Sequence, residues 1–263
     1  MPTLPLRLRR MAATLAVTVL AAGAAHGAHP SSEASRWQDA RQMIVVVTAD
    51  WKAIHGSLRT FERRNGSWHE VGAAAPVVIG RDGAGWGLGL QADRGDGPLA
   101  REGSMRSPAG VYRLGTVFGY APHVDIAMPY AAMKASSWCV DVSGSPLYTQ
   151  IVDADVVGAA AVRGASEHMR LDIHNHGDQR YKLGFVIEHN AQARPMGGSC
   201  IFAHLWKTPD SPTAGCTAMS EATMRRLLAW LKPKDNPVFV LLPRAEYVRL
   251  QADWKLPAAE PAG

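Results

Sequence analysis

The chain has 263 residues, enough for one large domain or two small ones, and a hydrophobic fraction of 47% supplies a sizeable core. Its net charge of +5 comes from 28 basic against 23 acidic side chains. No lysine- or arginine-rich face with interleaved aromatics stands out, which argues against a nucleic-acid partner.

The first segment reads as an export signal rather than as structure. Arg7, Arg9 and Arg10 precede the apolar run "MAATLAVTVLAA", and the small residues "GAAHGA" follow, so residues 1–27 are expected to be a signal peptide cleaved between Ala24 and Ala28. The run is too short to span a bilayer comfortably; an uncleaved anchor is the alternative. Removing these residues takes three arginines and no acid, leaving 25 against 23, or +2. The expected location is the periplasm or cell envelope, with no stable membrane span after cleavage. Residues 28–40, "AHPSSEASRWQDA", read as a polar linker.

Regular structure is expected from residue 41. The β-branched run "QMIVVVTA" (42–49) predicts a buried strand. Residues 58–71 predict two short strands joined at Asn65-Gly66, a strong hairpin signal. "APVVIG" (75–80) predicts another strand. "DGAGWGLGL" (82–90) lacks the Gly-Lys-Ser/Thr ending of a phosphate loop, and its glycines predict a flexible loop. Residues 107–115 predict a turn into a strand; 183–190, "IFAHLW" (201–206) and 236–243 predict three more. "SEATMRRLLAWL" predicts a helix with Ser220 as N-cap, Glu221 in the first turn and an apolar stripe of Met224, Leu227, Leu228 and Leu231. Many short strands and few helices predict a mainly β, β-rich α+β domain over residues 41–245, with 246–263 as a C-terminal tail whose end, "LPAAEPAG", is disordered.

The chemistry is concentrated in "GSCIFAHLWKTPDSPTAGCTAMS" (198–220). Strand alternation puts Phe202, His204 and Trp206 on one face, and desolvation by aromatics keeps an imidazole neutral and available as a base. Cys216 sits in a glycine turn shortly before the helix, where backbone N–H groups of Gly215, Cys216 and Thr217 can converge on an oxyanion. Thr213 is a candidate support for that turn. A thiol activated by a histidine implies acyl transfer through a thioester; an inert buried thiol beside a core histidine is the competing reading. Three cysteines allow one pair plus one thiol, or three free thiols.

These residues resemble the L,D-transpeptidase (YkuD-type) catalytic domain, in which a Ser/Thr-x-Gly-Cys turn follows a catalytic histidine. "TAGC" after "IFAHLW" fits that pattern. "REGSMRSPAGVYRLG" (101–115) is similar to the family's basic-Glu-Gly…Ser/Thr-Pro-x-Gly-x-aromatic segment, and "GSLRTFERRNGSWHEVG…PVVIGRDG" to its opening strands. The chain is similar to the subgroup reading Thr-Ala-Gly-Cys-Thr-Ala-Met. Ala214 and Ala218 stand where many members have His and Arg, so the substrate-carboxylate ligands do not carry over. The resemblance implies an L,D-transpeptidase-like β-sandwich with a few short helices. It implies Cys216 as nucleophile, His204 as base, no cofactor, and peptidoglycan stem peptides as partners. A Cys139–Cys200 bridge would leave Cys216 free, closing a loop of about 60 residues and contributing roughly 2–4 kcal/mol; two buried thiols are the alternative.

The implied activity is transfer of a stem tetrapeptide from Cys216 to an acceptor amine. Hydrolysis would make the same protein an L,D-carboxypeptidase, and an inert cysteine would make it a wall-binding module. A papain-like peptidase is disfavoured because His204 precedes Cys216. "LDIHNHGDQ" (171–179) offers a rival base in His176, and a His174-x-His176 pair with Asp172 and Asp178 as zinc-ligand types without a fourth partner. No metal site is expected.

Overall fold

The computed structural model describes Met1, residues 34–92 and residues 94–258; apart from Met1, the expected signal segment lies outside the described residues. In chain order the strands are β1 (Gln42–Thr48), β2 (His55–Arg64), β3 (Ser67–Val78), β4 (Ala84–Trp86), β5 (Ser107–Gly119), β6 (Tyr130–Ala132), β7 (Ser137–Cys139), β8 (Ile151–Asp153), β9 (Glu167–His168), β10 (Leu183–Ile187), β11 (Phe202–Leu205), β12 (Thr217–Met219) and β13 (Val238–Pro243). The helices are α1 (Ala154–Val157), α2 (Leu171–His174), α3 (Glu221–Trp230) and α4 (Arg244–Leu250). Strands take 35% and helices 15%, which makes the fold mainly β, a β-rich α+β architecture.

The principal sheet runs β10-β11-β12-β3-β2-β1-β13-β5, and β10 also pairs with β5, so the path closes on itself. Closure removes most free edges, the usual hazard of a large sheet. The long strand β5 makes it possible. Its first residues pair with β4, its middle with β13 and its last with β10 and β6, and a register shift between Phe185 and Ile187 lets β10 turn the corner. At the centre, β1 lies parallel to β13 and antiparallel to β2. Met43, Ile44, Val45 and Val46 are consequently buried on both faces, which is why the sequence there is an unbroken apolar run. The Asn65-Gly66 turn forms as expected, both residues having positive φ (50° and 84°), as the tight primed hairpin turn requires. α3 is capped by Ser220, whose Oγ accepts from Thr223 N at 3.1 Å, and buries Met224, Leu227 and Leu228.

Three expectations are corrected here. Residues 82–90 are not a flexible loop: β4 lies within them, Ala84 and Trp86 are buried, and the following turn wraps Tyr112. A Cβ at Gly87 would meet the Tyr112 hydroxyl at 2.3 Å, so the glycines serve close packing rather than mobility. Nor do residues 34–40, the described part of the expected linker, simply link. Trp37 is buried against Trp254 (centroids 5.6 Å apart), and its indole N–H donates to Trp254 O. For the same reason the chain does not become a tail at 246. α4 and the turn after it bury Tyr247, Leu250, Trp254 and Leu256 in the main core. Aromatic residues at both ends of the chain meet beneath the sheet, a contact that no local pattern reveals.

A second, smaller sheet, β8-β7-β9, forms with α1 and α2 a segment apart from the main sheet. A second apolar cluster joins it to the main sheet, with Met133, Cys139, Met169, Leu171 and Tyr181 meeting Phe118, Phe202 and Cys216. Cys139 on β7 is disulfide-bonded to Cys200, two residues before β11. Reduction of this bond, or Cys139→Ser with Cys200→Ser, is expected to cost about 2–4 kcal/mol. It should also speed alkylation of Cys216 by releasing the segment above it. Urea denaturation and the rate of iodoacetamide labelling in oxidised and reduced protein check both; an unchanged labelling rate would show that the staple does not govern access.

Candidate functional site

Cys216 lies immediately before β12, and His204 lies in β11. The two strands are parallel neighbours, with Ala203 opposite Thr217, His204 opposite Ala218 and Leu205 opposite Met219. Cys216 therefore falls beside Phe202, with His204 one side-chain repeat further along the same ladder face. The other two cysteines are consumed by the disulfide, leaving Cys216 as the free thiol.

The pair is brought close but not joined. The Cys216 Sγ accepts from Phe202 N at 3.3 Å and faces Cys200 O at 3.6 Å; it makes no hydrogen bond to His204. His204 Nδ1 lies 2.7 Å from the carbonyl oxygen of Leu205. Only the Nδ1–H tautomer satisfies that contact, so Nε2 carries the free lone pair a general base needs. Tyr181 packs edge-on to the imidazole, 5.2 Å between centroids.

Both groups are buried, Cys216 at 8% and His204 at 2% exposure. Burial pushes the Cys216 thiol up to about 12, against lowering by the Phe202 N–H and the Arg180 charge. It pushes His204 down to about 4, with the bond to Leu205 O working the other way. The expectation of a base near neutrality is thus corrected: in this closed arrangement thiol and imidazole are both firmly neutral. The Glu167 charge acts on the Cys216 thiol; its own carboxyl is pushed up by burial, with the Tyr181 hydroxyl beside it.

The turn carrying Cys216 is held from below by hydroxyl groups. Thr213 Oγ1 donates to Cys216 O at 2.6 Å and accepts from Gly215 N at 3.1 Å. Ser107 Oγ donates to the same carbonyl at 2.8 Å and accepts from Gly80 N at 2.9 Å. Gly215 has φ +150°, and a Cβ there would come within 3.2 Å of Arg106 O, so glycine is required. Thr213 therefore supports the turn as expected, but the Gly215 N–H is spent on it and does not face an oxyanion. Among the described residues the Cys216 N–H has no hydrogen-bond partner, which makes it the available donor. Thr217, fully buried, begins β12 and anchors the far side of the turn.

Ser107→Ala strands the Gly80 N–H, and Thr213→Ala the Gly215 N–H. Each is expected to destabilise the fold by about 1–3 kcal/mol, read as a lower urea midpoint. An unshifted midpoint in both would mean that the hydroxyls do not hold the turn.

Sequence reasoning singled out the segments of Ser107 and Glu102 but not those residues. Ser107 starts β5 within "RSPAG". Glu102 Oε2 accepts from Tyr148 OH and from Ser199 Oγ (2.8 Å), fixing the segment that leads to Cys200. The serine before proline was the available signal. Tyr181, Arg180 and Glu167 carry none, since each reaches the site only through the fold.

Among the described residues no hydrogen bond or ring contact joins His174 or His176 to Cys216. His174 Nε2 lies 2.8 Å from Ala135 O, while Asp172 pairs with Arg170 and Asp178 with Arg180. His176 is exposed on the loop after α2. Among the described residues no group of three or more His, Cys, Asp or Glu side chains is placed to hold a metal ion. Likewise among them, no helix is long and apolar enough to cross a membrane.

Comparison with protein-family models, with curated proteins and with solved structures finds no match to this chain.

Proposed function

We propose that the protein is a cysteine-dependent acyltransferase of the cell envelope, an L,D-transpeptidase acting on peptidoglycan stem tetrapeptides. The observation that carries this reading is one free thiol beside a histidine of fixed tautomer. The Cys216 N–H is unpaired next to the sulfur, and the carbonyl of the same residue is clamped by two hydroxyls.

In the first half-reaction Sγ leaves its contacts with Phe202 N and Cys200 O and turns to His204 Nε2, which takes the thiol proton. The thiolate attacks the carbonyl carbon preceding the terminal D-residue, and the oxyanion meets the Cys216 N–H. Collapse breaks the C–N bond, the departing amine takes the proton from His204, and a thioester remains. In the second half, an acceptor amine attacks the thioester and passes a proton through His204 to the leaving sulfur. Water in place of the amine gives a carboxypeptidase. Opening of the β7–β9 segment is part of the cycle, because substrate must displace the apolar cluster above Cys216.

The test is incubation of the mature protein with disaccharide-tetrapeptides, followed by mass spectrometry. Cross-linked dimers support transfer, and trimmed tripeptides alone support hydrolysis. A second reading, a wall-binding module with an inert cysteine, is favoured by the thiol's high pKa and its lack of a bond to His204. A carbapenem separates the two: an active Cys216 is acylated, an inert one is not.

A further inference from the structure

A donor peptide cleaved next to its terminal residue carries a carboxylate a few bonds from the reacting carbonyl. The turn bearing Cys216 offers it no cation, since Ala214 and Ala218 flank the cysteine. A cation comes from another element. Arg180 O accepts from Leu205 N at 3.0 Å, which stitches this residue alongside β11, next to His204.

The Arg180 guanidinium is aimed rather than loose. Its Nε and Nη2 edge pairs with Asp178, 2.8 Å to Oδ2, and Asp178 is itself held by Arg180 N (2.9 Å) and Asn175 Nδ2 (3.2 Å). Among the described residues Nη1 makes no hydrogen bond. The arginine side chain is 36% exposed and the aspartate only 15%, so the carboxylate is turned inward and the guanidinium keeps an open edge. Burial works to raise the Asp178 carboxyl, but the Arg180 bonds leave it below the usual range, and it stays ionised as an orienting partner.

The residues beside that edge line a cleft of about 410 Å³ that includes Gln179, Trp206 and Lys207. Its arginine, lysine and aspartate, Arg180 and Lys207 against Asp178, sum to +1. Trp206 adds an apolar wall. The cleft adjoins β11, which carries His204: Arg180 O accepts from Leu205 N, and Trp206 directly follows the strand; the Arg180 charge also bears on Cys216 and His204.

We propose that this cleft is the subsite for the carboxylate of the acyl donor, with Arg180 as its principal ligand and Lys207 as the second cation. The inference rests on the acyl-transfer reading of Cys216 and names where that reaction's substrate is held.

The experiment uses the mature chain with its disulfide intact and compares alkylation of Cys216 by iodoacetate and iodoacetamide, read by intact mass, with Cys216→Ala as the blank. The iodoacetate-to-iodoacetamide rate ratio is expected to fall about five- to tenfold in Arg180→Gln, less in Lys207→Gln and little in Arg180→Lys. It should also fall with added salt in the wild type. Arg180→Lys and the exposed Lys207→Gln guard against a fold disturbed by an unpaired Asp178. Ratios unchanged in Arg180→Gln and Lys207→Gln alike would overturn the subsite.

A second arm separates this from the function itself, using the tetrapeptide and its C-terminal amide as donors. If wall fragments are processed but the acid shows no lower KM than the amide, the subsite fails and the transpeptidase reading stands. If no fragment is processed while the alkylation ratio still responds to Arg180→Gln, the anion subsite stands and the proposed reaction fails.

Discussion

Cys216→Ala is expected to abolish product formation from disaccharide-tetrapeptides, a loss of at least about a thousandfold, while leaving the chain folded. The loss is large because no second nucleophile is at hand: Cys139 and Cys200 are covalently joined, and Cys216 is the free thiol. The fold survives because the side chain is small and it accepts one bond, from Phe202 N, whose loss costs about 1–3 kcal/mol. Cys216→Ser is the companion variant. Its hydroxyl still accepts from Phe202 N but is a far weaker nucleophile, so it should match the alanine variant in activity and the wild type in melting temperature. Cross-links or trimmed peptides from the alanine variant would remove Cys216 from the mechanism.

Acid should unfold the protein through its buried histidines. His204 and His189 are both pushed down to about 4, from an ordinary value of 6.5, chiefly by burial. Neither ring nitrogen of His189 has a hydrogen-bond partner, and its ring packs edge-on to Tyr112 at 5.9 Å. The unfolded chain takes up both protons below about pH 6.5, whereas the folded chain resists until about pH 4. Stability is therefore whole above pH 6.5 and drains as pH falls through that window, by roughly 2–3 kcal/mol per histidine at pH 4.5. Paired carboxylates such as Asp153, held to about 2 by Lys134 and Ser136, add their loss only at lower pH. Urea midpoints at pH 7 and 4.5 measure the effect, and His189→Phe should remove about half of it. A midpoint that stays flat across this range would contradict the account. At the other end, the thiol held up at about 12 costs stability above pH 9, where the unfolded chain ionises and the folded one does not.

Much of the main sheet was legible because its signals are local. The apolar run of β1, the Asn65-Gly66 turn and the capped stripe of α3 each hold within about a dozen residues, where alternation, positive φ and the 3.6-residue period act directly. β12, three residues long, left no such trace, and neither did α4, whose apolar residues answer to Trp37 and the sheet rather than to a pattern of their own.

The candidate site divides in the same way. Residue types and turn chemistry offered Cys216, His204 and Gly215 as candidates, because a glycine turn that carries a cysteine is written in consecutive residues, but left an inert thiol beside a core histidine equally open; the family resemblance favoured the pair and added Thr213. Only the tertiary structure decided that Ser107 and Thr213 share one carbonyl, that Gly215 N–H is already spent, and that Tyr181 and Arg180 stand beside β11 and its His204. Those contacts join residues far apart along the chain, and the burial that sets both ionisations is a property of everything packed around the pair. Desolvation and long-range contact have no local signature, and for that reason the candidate residues could be named from the sequence while their protonation, partners and access could not.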